Sequence, residues 1–500
     1  MIDCKQELFN LYGKRDYFSL DEINKIVTDR GMDTYSIITD VDSYKVGHWP
    51  LYPRDTISIY SYFESRNGAK YNNTIFYGLQ YIVKKYLTGI VVTQELIDDA
   101  DELFFSHFGN HTTFNKEMWQ HILKEWGGKL PLTIRAVPEG LPVEKSNVLM
   151  TVKNNGGPIC ASLTNYVETL LTRVWASSTT ATLSYEIKKM IRHYLDKTCD
   201  DNMIDAVLPY MLHDFGARGV SSYESSVHQG SGHLLNFLGT DTVSALKHIR
   251  KYYNMPSYDG LGYSIIATEH SIMTANGESG EKDIFHNLVR ENPTGVVACV
   301  IDSYNYQRFI LQYARELKDE ILARDGKLVF RPDSGDPDSV SLEVNQMLES
   351  VFGTSRNSKN YLVLNPKVGS IWGDGIDYNG MRGIHNTITM NEYAAQNTGF
   401  GCGGGLLQKV NRDDQRFAFK CSARQIGEDT WKDVWKKPLD ISKASKRGRF
   451  KLIRNNMSGN KFMTVPFDTP GDDILEDVFY NGDIMRDMTF TQCRENTMIM

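Results

Sequence analysis

The stretch Leu328-Val329-Phe330-Arg331-Pro332-Asp333-Ser334-Gly335 runs from three apolar residues straight into an arginine, a carboxylate and a glycine. Such a step reads as a buried strand that delivers polar groups to a rim. Six other stretches repeat it: His213-Asp214-Phe215-Gly216, Gly239-Thr240-Asp241, Thr268-Glu269-His270, Asp302-Ser303, Gly373-Asp374-Gly375 and Gly401-Cys402-Gly403-Gly404-Gly405. Measured between their key residues, successive tips lie 27 to 41 positions apart. A spacing of about thirty is the length of one strand–helix–strand unit. Strands alternating with helix-sized intervals predict an α/β fold built on a parallel sheet. Seven tips predict a barrel of six to eight strands, closed or incomplete, with chemistry at the C-terminal strand ends. For any single tip the simpler reading is an ordinary βα loop, because Asp, Ser and Gly form turns and cap helices. Seven in succession, five of them carrying Asp, favour a functional rim.

The flanks have another rhythm. Ser19-Leu20-Asp21-Glu22 reads as a capping box that opens a helix towards Gly31, and Tyr35 to Thr39 as a short strand. Residues 73–128 read as mostly helical. Residues 129–152, broken by Pro131, Pro138, Gly140 and Pro142, read as short antiparallel strands. Helical periodicity returns over 163–197. After Gln408 the thirty-residue rhythm stops, and the tail is expected to return to the N-terminal segment. The expected division is an N-terminal extension (1–32), a mixed α+β part (33–205), the barrel (206–410) and a returning C-terminal segment (411–500).

Five hundred residues exceed what one core organises. A net charge of −7 argues against a general nucleic-acid binder. No run of 18 apolar residues predicts a membrane span. Seven scattered cysteines without a CxxC pair suit reduced thiols and a cytoplasmic setting. HExxH is absent, and His107 and His111 are separated by a glycine, which argues against a shared metal-binding face.

Several tips suggest chemistry. Arg331 suits bidentate phosphate binding, and Asp333 suits ribose hydroxyls or magnesium; the plain alternative is an Arg–Asp pair on a turn. Asp374 between two glycines allows a ligand near the backbone, or marks a simple turn. Gly403 to Gly405 before Leu406-Leu407-Gln408-Lys409 offers backbone N–H groups and a helix start to an anion, or a tight turn. His270 suits a general base or a phosphoryl acceptor, although a lone histidine is more often structural. Asp214-Phe215-Gly216 is not a kinase signature, since HRD and VAIK are missing. Residues 432–451 carry eight Lys or Arg against two Asp. That stretch reads as a solvated face, as a nucleic-acid patch, or, as preferred here, as a phosphate-facing flap beside the rim, with Arg412 and Lys420 on the same tail.

Taken together, the chain resembles the nicotinamide phosphoribosyltransferase family from about Asp40 to about Asn481. The resemblance is carried by Asp42-Ser43-Tyr44-Lys45-Val46, Phe76 to Tyr81, Ala136 to Gly140, His213 to Gly216 with Arg218 to Ser222, Asn236-Phe237 with Gly239 to Val243, Glu269-His270-Ser271, Asp302-Ser303-Tyr304, Arg331 to Gly335, Gly373 to Gly375, and Gly403 to Lys409. It implies a type II phosphoribosyltransferase fold: an incomplete α/β barrel plus a mixed α+β domain formed by both chain ends. It implies a homodimer with shared active sites, and the reaction of nicotinamide with phosphoribosyl pyrophosphate, aided by Mg2+ and by ATP as co-substrate. In that scheme Phe215, and Tyr44 of a second copy, stack on the nicotinamide ring, and Asp241 accepts from its carboxamide. Arg218 and Arg331 hold phosphates, with Arg331 also near the base. Asp333 takes ribose hydroxyls, while Gly373, Asp374, Gly403, Gly404 and Arg412 line the ribose-phosphate pocket. Lys420, Lys436 and Lys443 reach phosphates from the tail. His270 accepts the phosphoryl group of ATP, supported by Glu269 and Asp302.

The chain departs from the family pattern at Ala217, Ala298, Cys402, Ala418, the loop Tyr223 to Gly232 and Trp435-Lys436-Lys437-Pro438. None removes a proposed catalytic group. The alternatives are a nicotinate phosphoribosyltransferase and a non-catalytic binding protein on the same fold.

Overall fold

The structure, a computed structural model, describes residues 35–437, 444–455 and 461–498. The helix expected from Ser19 to Gly31 and the candidate phosphate ligand Lys443 lie outside the described residues.

The chain first lays down β1 (Ser58–Ser65), β2 (Leu132–Ala136) and β3 (Val148–Asn154). The middle contributes β4 (Leu212–Asp214), β5 (Gly239–Thr240), β6 (Ile266–Ala267), β7 (Thr294–Val300), β8 (Asp325–Arg331), β9 (Val368–Trp372) and β10 (Thr398–Cys402). The tail adds β11 (Phe417–Gln425), β12 (Trp431–Asp433), β13 (Glu476–Tyr480) and β14 (Asp483–Ile484). The helices used below are α1 (Ser43–Val46), α2 (Trp175–Thr198), α3 (Tyr223–His233), α4 (Val243–Tyr252), α5 (His270–Met273), α6 (Gly277–Glu291), α7 (Tyr306–Arg308), α8 (Pro337–Phe352), α9 (Tyr378–Met390) and α10 (Gly404–Leu407).

Seven strands, in the order β5-β4-β10-β9-β8-β7-β6, form an all-parallel sheet. Each connection between consecutive strands carries helix: α3, α4, α5 with α6, the run from α7 to Ala323, α8 and α9. The sheet curls until its edges meet through one parallel bridge, Gly239 to Tyr263. The barrel is therefore incomplete in its ladder, and all seven polar tips sit at C-terminal strand ends. The reason is visible in β8: Leu328 and Phe330 are fully buried, and the chain turns polar where burial stops at Arg331.

The second sheet, β12-β11-β1-β3-β2-β13-β14, joins both chain ends. β1 is antiparallel to tail strand β11 on one side and to β3 on the other. All eight residues of β1 are buried. One large core packs this sheet around Tyr62, Phe63 and Trp119, and another packs the barrel's helices around Phe285, Phe309, Phe330 and Phe400.

Two local expectations are corrected. Tyr35 to Thr39 is not a strand: the N–H groups of Thr39 and Asp40 both return to Ser36 O, and the Ile38 N–H donates to Ser36 Oγ, so the turn consumes the bonds a strand would offer. The stretch Tyr223 to Gly232 is not a loop but the body of α3, whose N-cap Ser222 accepts from the Ser225 N–H. Its Ser and Gly residues let the helix pack tightly on α2, where a Cβ on Gly232 would lie 2.8 Å from Ser177 O and the small residues Ser177 to Ala181 are likewise buried.

Candidate active site

The rim converges on Phe215. Its ring packs on Ala298, Val329 and Ile371, with Ile265 beside it, and so plugs the barrel interior. Gly401 makes that position possible: a Cβ there would lie 1.9 Å from the ring. The Arg331 guanidinium lies 5.9 Å from the ring centroid. A cavity of about 410 Å³ borders that packing: Ile265, Val329 and Ile371 line it too, with His213 and Ser264, and it extends to Met211, Lys327, Gly369 and Asn397 at the starts of β4, β8, β9 and β10. Its size suits a small aromatic ligand with room to spare.

Asp241 stands exposed at the end of β5, and its Oδ1 accepts from Ser264 Oγ. His213 is driven below its ordinary range by burial, with Asp241 opposing, so the group beside the carboxylate is a neutral imidazole. Asp214 is fully buried. Its Oδ1 accepts from the Gly216 N–H at 2.7 Å, which fixes the turn that aims Phe215. Burial pushes the Asp214 carboxyl up to about 6, the Gly216 bond opposing.

On the opposite arc, Arg331 Nε donates to both Asp333 oxygens at 3.0 Å, and Nη2 donates to Oδ2 at 2.7 Å. The Arg–Asp pair read as the plain alternative is thus formed, and it presents Arg331 in a fixed pose. Gly373 leaves room for it: a Cβ would lie 3.0 Å from Asp333 Oδ1 and 3.2 Å from Arg331 Cδ and Nε. Asp302 links this pair to His270. Its Oδ1 lies 3.2 Å from His270 Nε2, and its Oδ2 accepts from the Asp333 N–H at 3.0 Å and from Ser334 Oγ. The Asp302 side chain is nearly buried, whereas that of His270 is 49% exposed and open to a ligand. The Glu269 carboxylate accepts from Ser271 Oγ rather than from His270.

Arg218 projects, exposed, from the turn Ala217–Gly219. That turn abuts the glycine loop, where a Cβ on Gly219 would lie 3.5 Å from Gly404 N. The helix expected after Gly403 and Gly404 is only the four residues of α10, too short for a substantial dipole, so the loop offers backbone groups rather than a helix end. Cys402 is buried beneath it, its thiol pushed up to about 12 by burial and donating to Ile376 O at 3.1 Å; it is a packing residue. Asp374 is exposed with no partner for its carboxylate among the described residues, and Arg412 is exposed.

The tail lysines stand elsewhere. Lys420, on β11, is driven down by its own burial; Glu168 opposes that, and the charges of Arg66, Lys436 and Lys45 add to it. Lys45 pairs with Glu168 at 2.6 Å and adjoins Tyr44, which is 62% exposed on α1. Arg66, Lys436 and Lys45 thus surround Lys420 with positive charge that Glu168 partly offsets, and Tyr44 stands exposed beside Lys45. The described part of residues 432–451 hydrogen-bonds to Tyr62, Glu64 and Ser422, all on β1 and β11, and β12 pairs with β11, so sheet pairing holds it at the sheet edge.

Sequence reading missed Ser264 and Ile265. They lie in the run Leu261 to Ala267, where the strand itself is only two residues long and carries no motif.

The sequence pattern of the Nicotinate phosphoribosyltransferase (NAPRTase) family matches residues 210–482, and that of the Nicotinamide phosphoribosyltransferase N-terminal domain matches residues 36–134. A nicotinamide phosphoribosyltransferase of Xanthomonas campestris pv. campestris is 43% identical over 469 residues, covering 92% of this chain and 97% of the relative. One of Acinetobacter baylyi is 30% identical over 498 residues, covering 91% and 95%. Among solved structures, a nicotinate-nucleotide pyrophosphorylase of Pyrococcus furiosus superposes with a TM-score of 0.55 at 13% identity, covering 97% of each chain. The human nicotinic acid phosphoribosyltransferase superposes with 0.52 at 14% identity, covering 91% and 92%. These two share the fold.

Proposed function

The chain belongs to the nicotinamide phosphoribosyltransferase family and is an enzyme of the phosphoribosyltransferase class, and from that premise we propose how its residues divide the work. The observation that carries the reading is Asp241, an exposed carboxylate at the end of β5 whose Oδ1 accepts from Ser264 Oγ, Ser264 being a lining residue of the cavity that borders the packing on Phe215. Nicotinamide enters over Phe215, whose face suits offset stacking, and its carboxamide N–H donates to Asp241. Nicotinate would set its own carboxylate against Asp241, an unpaired like-charge contact that selects the amide.

The donor lies across the rim. Asp333 and Asp374 face ribose hydroxyls, Arg218 and Arg331 bind phosphate, and Gly373, Gly403, Gly404 and Arg412 line the 5′-phosphate side. Cleavage at the anomeric carbon develops positive charge on the sugar and negative charge on the departing pyrophosphate. The rim's contribution is to position both partners and hold these charges. Magnesium, when bound with the donor, neutralises the leaving group. Among the described residues no group of three His, Cys, Asp or Glu could hold a metal unaided; an ion carried on the donor's phosphate oxygens would not need such a group.

ATP hydrolysis is coupled through His270. With Nε2–H directed to Asp302, the lone pair of Nδ1 attacks the γ-phosphorus, the bond to the bridging oxygen breaks, and ADP leaves.

The exposed Tyr44 and its basic neighbours complete the site of a second copy, Tyr44 covering the open face of the base and Lys420, Lys436 and Lys443 reaching its phosphates. Co-expression of Tyr44→Ala with Phe215→Ala chains tests this. If the site is shared, one site per mixed dimer carries neither change, and activity returns to about one quarter of the parent level. Mixed dimers as inactive as either pure variant would place Tyr44 in the site of its own chain.

A further inference from the structure

His270 rests on Asp302, and α6 beneath them carries a buried carboxyl that the reading above leaves unused. Glu281 is fully buried, and neither of its oxygens has a hydrogen-bond partner among the described residues. Two buried atoms on the segment that follows Asp302 are in the same condition, Ser303 Oγ and Arg308 Nε. Arg308 does reach α6, but one turn earlier, where Nη2 donates to Glu278 at 2.8 Å. The charged groups that face Glu281 are thus Arg308 from α7, Glu278 from its own helix and Asp302 from the end of β7. Cys299 of β7 is the remaining titratable neighbour, its thiol pushed up to about 12 chiefly by burial.

An ionised carboxylate held without a donor is strongly disfavoured in an interior. Burial pushes Glu281 up to about 7; Arg308 opposes, and Glu278 and Asp302 add to the rise.

We propose that Glu281 is a positioning residue for the phosphate side of the rim, a buried carboxyl whose gain or loss of one proton sets the charge held behind the Asp302–His270 pair. Protonated, it leaves Asp302 as the negative charge under the imidazole. Ionised, it adds a second, which the ring senses and which repels an arriving phosphate. The proton exchanges with solvent, and only the carboxyl O–H bond is made or broken. The proposal rests on the phosphate-handling reading of the rim for its second consequence alone.

Histidine-selective ¹³C NMR on the full-length protein without ligands tests the first consequence, with His270 assigned through a His270→Gln variant. The ring carbon of His270 is expected to show, beyond its own titration, an inflection near pH 7 that is absent in Glu281→Gln. No such inflection in the parent, or one that survives in Glu281→Gln, overturns the proposal. Should Glu281→Gln fail to fold, Arg308→Gln removes the opposing cation and must move the inflection to higher pH; an unmoved inflection overturns it equally. The second consequence is read with inorganic pyrophosphate. Its affinity for Glu281→Gln relative to the parent is expected to rise about three-fold between pH 6 and pH 8, and a constant ratio refutes the effect on phosphate. A parent that binds no pyrophosphate would instead count against the phosphoribosyltransferase site, while the ring inflection would stand.

Discussion

An Asp241→Asn variant is expected to lose two to three orders of magnitude of preference for nicotinamide over nicotinate. The carboxylate stands at the end of β5, held by Ser264 Oγ and next to a neutral, half-buried His213. No ion pair neutralises it among the described residues, so a nicotinate carboxylate brought against it meets an uncompensated like charge. Such a juxtaposition costs several kcal/mol, and about 3 to 4 kcal/mol corresponds to that loss of discrimination. The asparagine amide keeps a carbonyl acceptor for the carboxamide N–H and gains a donor for a carboxylate. Nicotinamide turnover should fall modestly while nicotinate turnover appears. The ratio of kcat/KM for the two bases measures the effect, and an unchanged ratio would remove Asp241 from the base pocket.

Replacing His270 with Ala is expected to abolish the stimulation of turnover by ATP and the ATP hydrolysis that accompanies it, leaving only the slower ATP-independent transfer. Asp302 is an acceptor only, so the bond at 3.2 Å places the hydrogen on Nε2 and leaves Nδ1 with its lone pair. With the imidazole gone, Asp302 keeps its bonds from the Asp333 N–H and Ser334, and Asp333 keeps Arg331, so the donor side of the rim persists. Since half of the His270 side chain is exposed, the fold and any oligomer should survive. Assays with and without ATP decide the matter: equal ATP stimulation in parent and variant would refute the role.

Much of the barrel was legible because its signal is local. Most of the seven tips mark the point where a buried strand ends, as at Phe330 and Arg331; β6 departs from this, since both of its residues are exposed. Even two-residue β5 and β6 are legible through their polar ends rather than their lengths. The flanks were harder. Tyr35 to Thr39 looks extended by composition, yet Ser36 gathers the backbone into a turn. Tyr223 to Gly232 looks like a loop because Ser and Gly are turn formers, whereas here they are small because α3 must approach α2 closely. Ser264, Ile265 and Glu281 have no motif at all, since their surroundings come from strands and helices far apart in sequence. The basic stretch was recognised by charge, but its place was set by the pairing of β12 with β11, a long-range choice that charge does not encode.

The most direct test supplies phosphoribosyl pyrophosphate and magnesium with nicotinamide or nicotinate in parallel, each with and without ATP, and follows mononucleotide and pyrophosphate together. The site described here predicts nicotinamide mononucleotide and pyrophosphate in equal amounts, faster with ATP, and at least about a hundred-fold lower kcat/KM with nicotinate. Equal or faster turnover of nicotinate, or no pyrophosphate with either base, would contradict it.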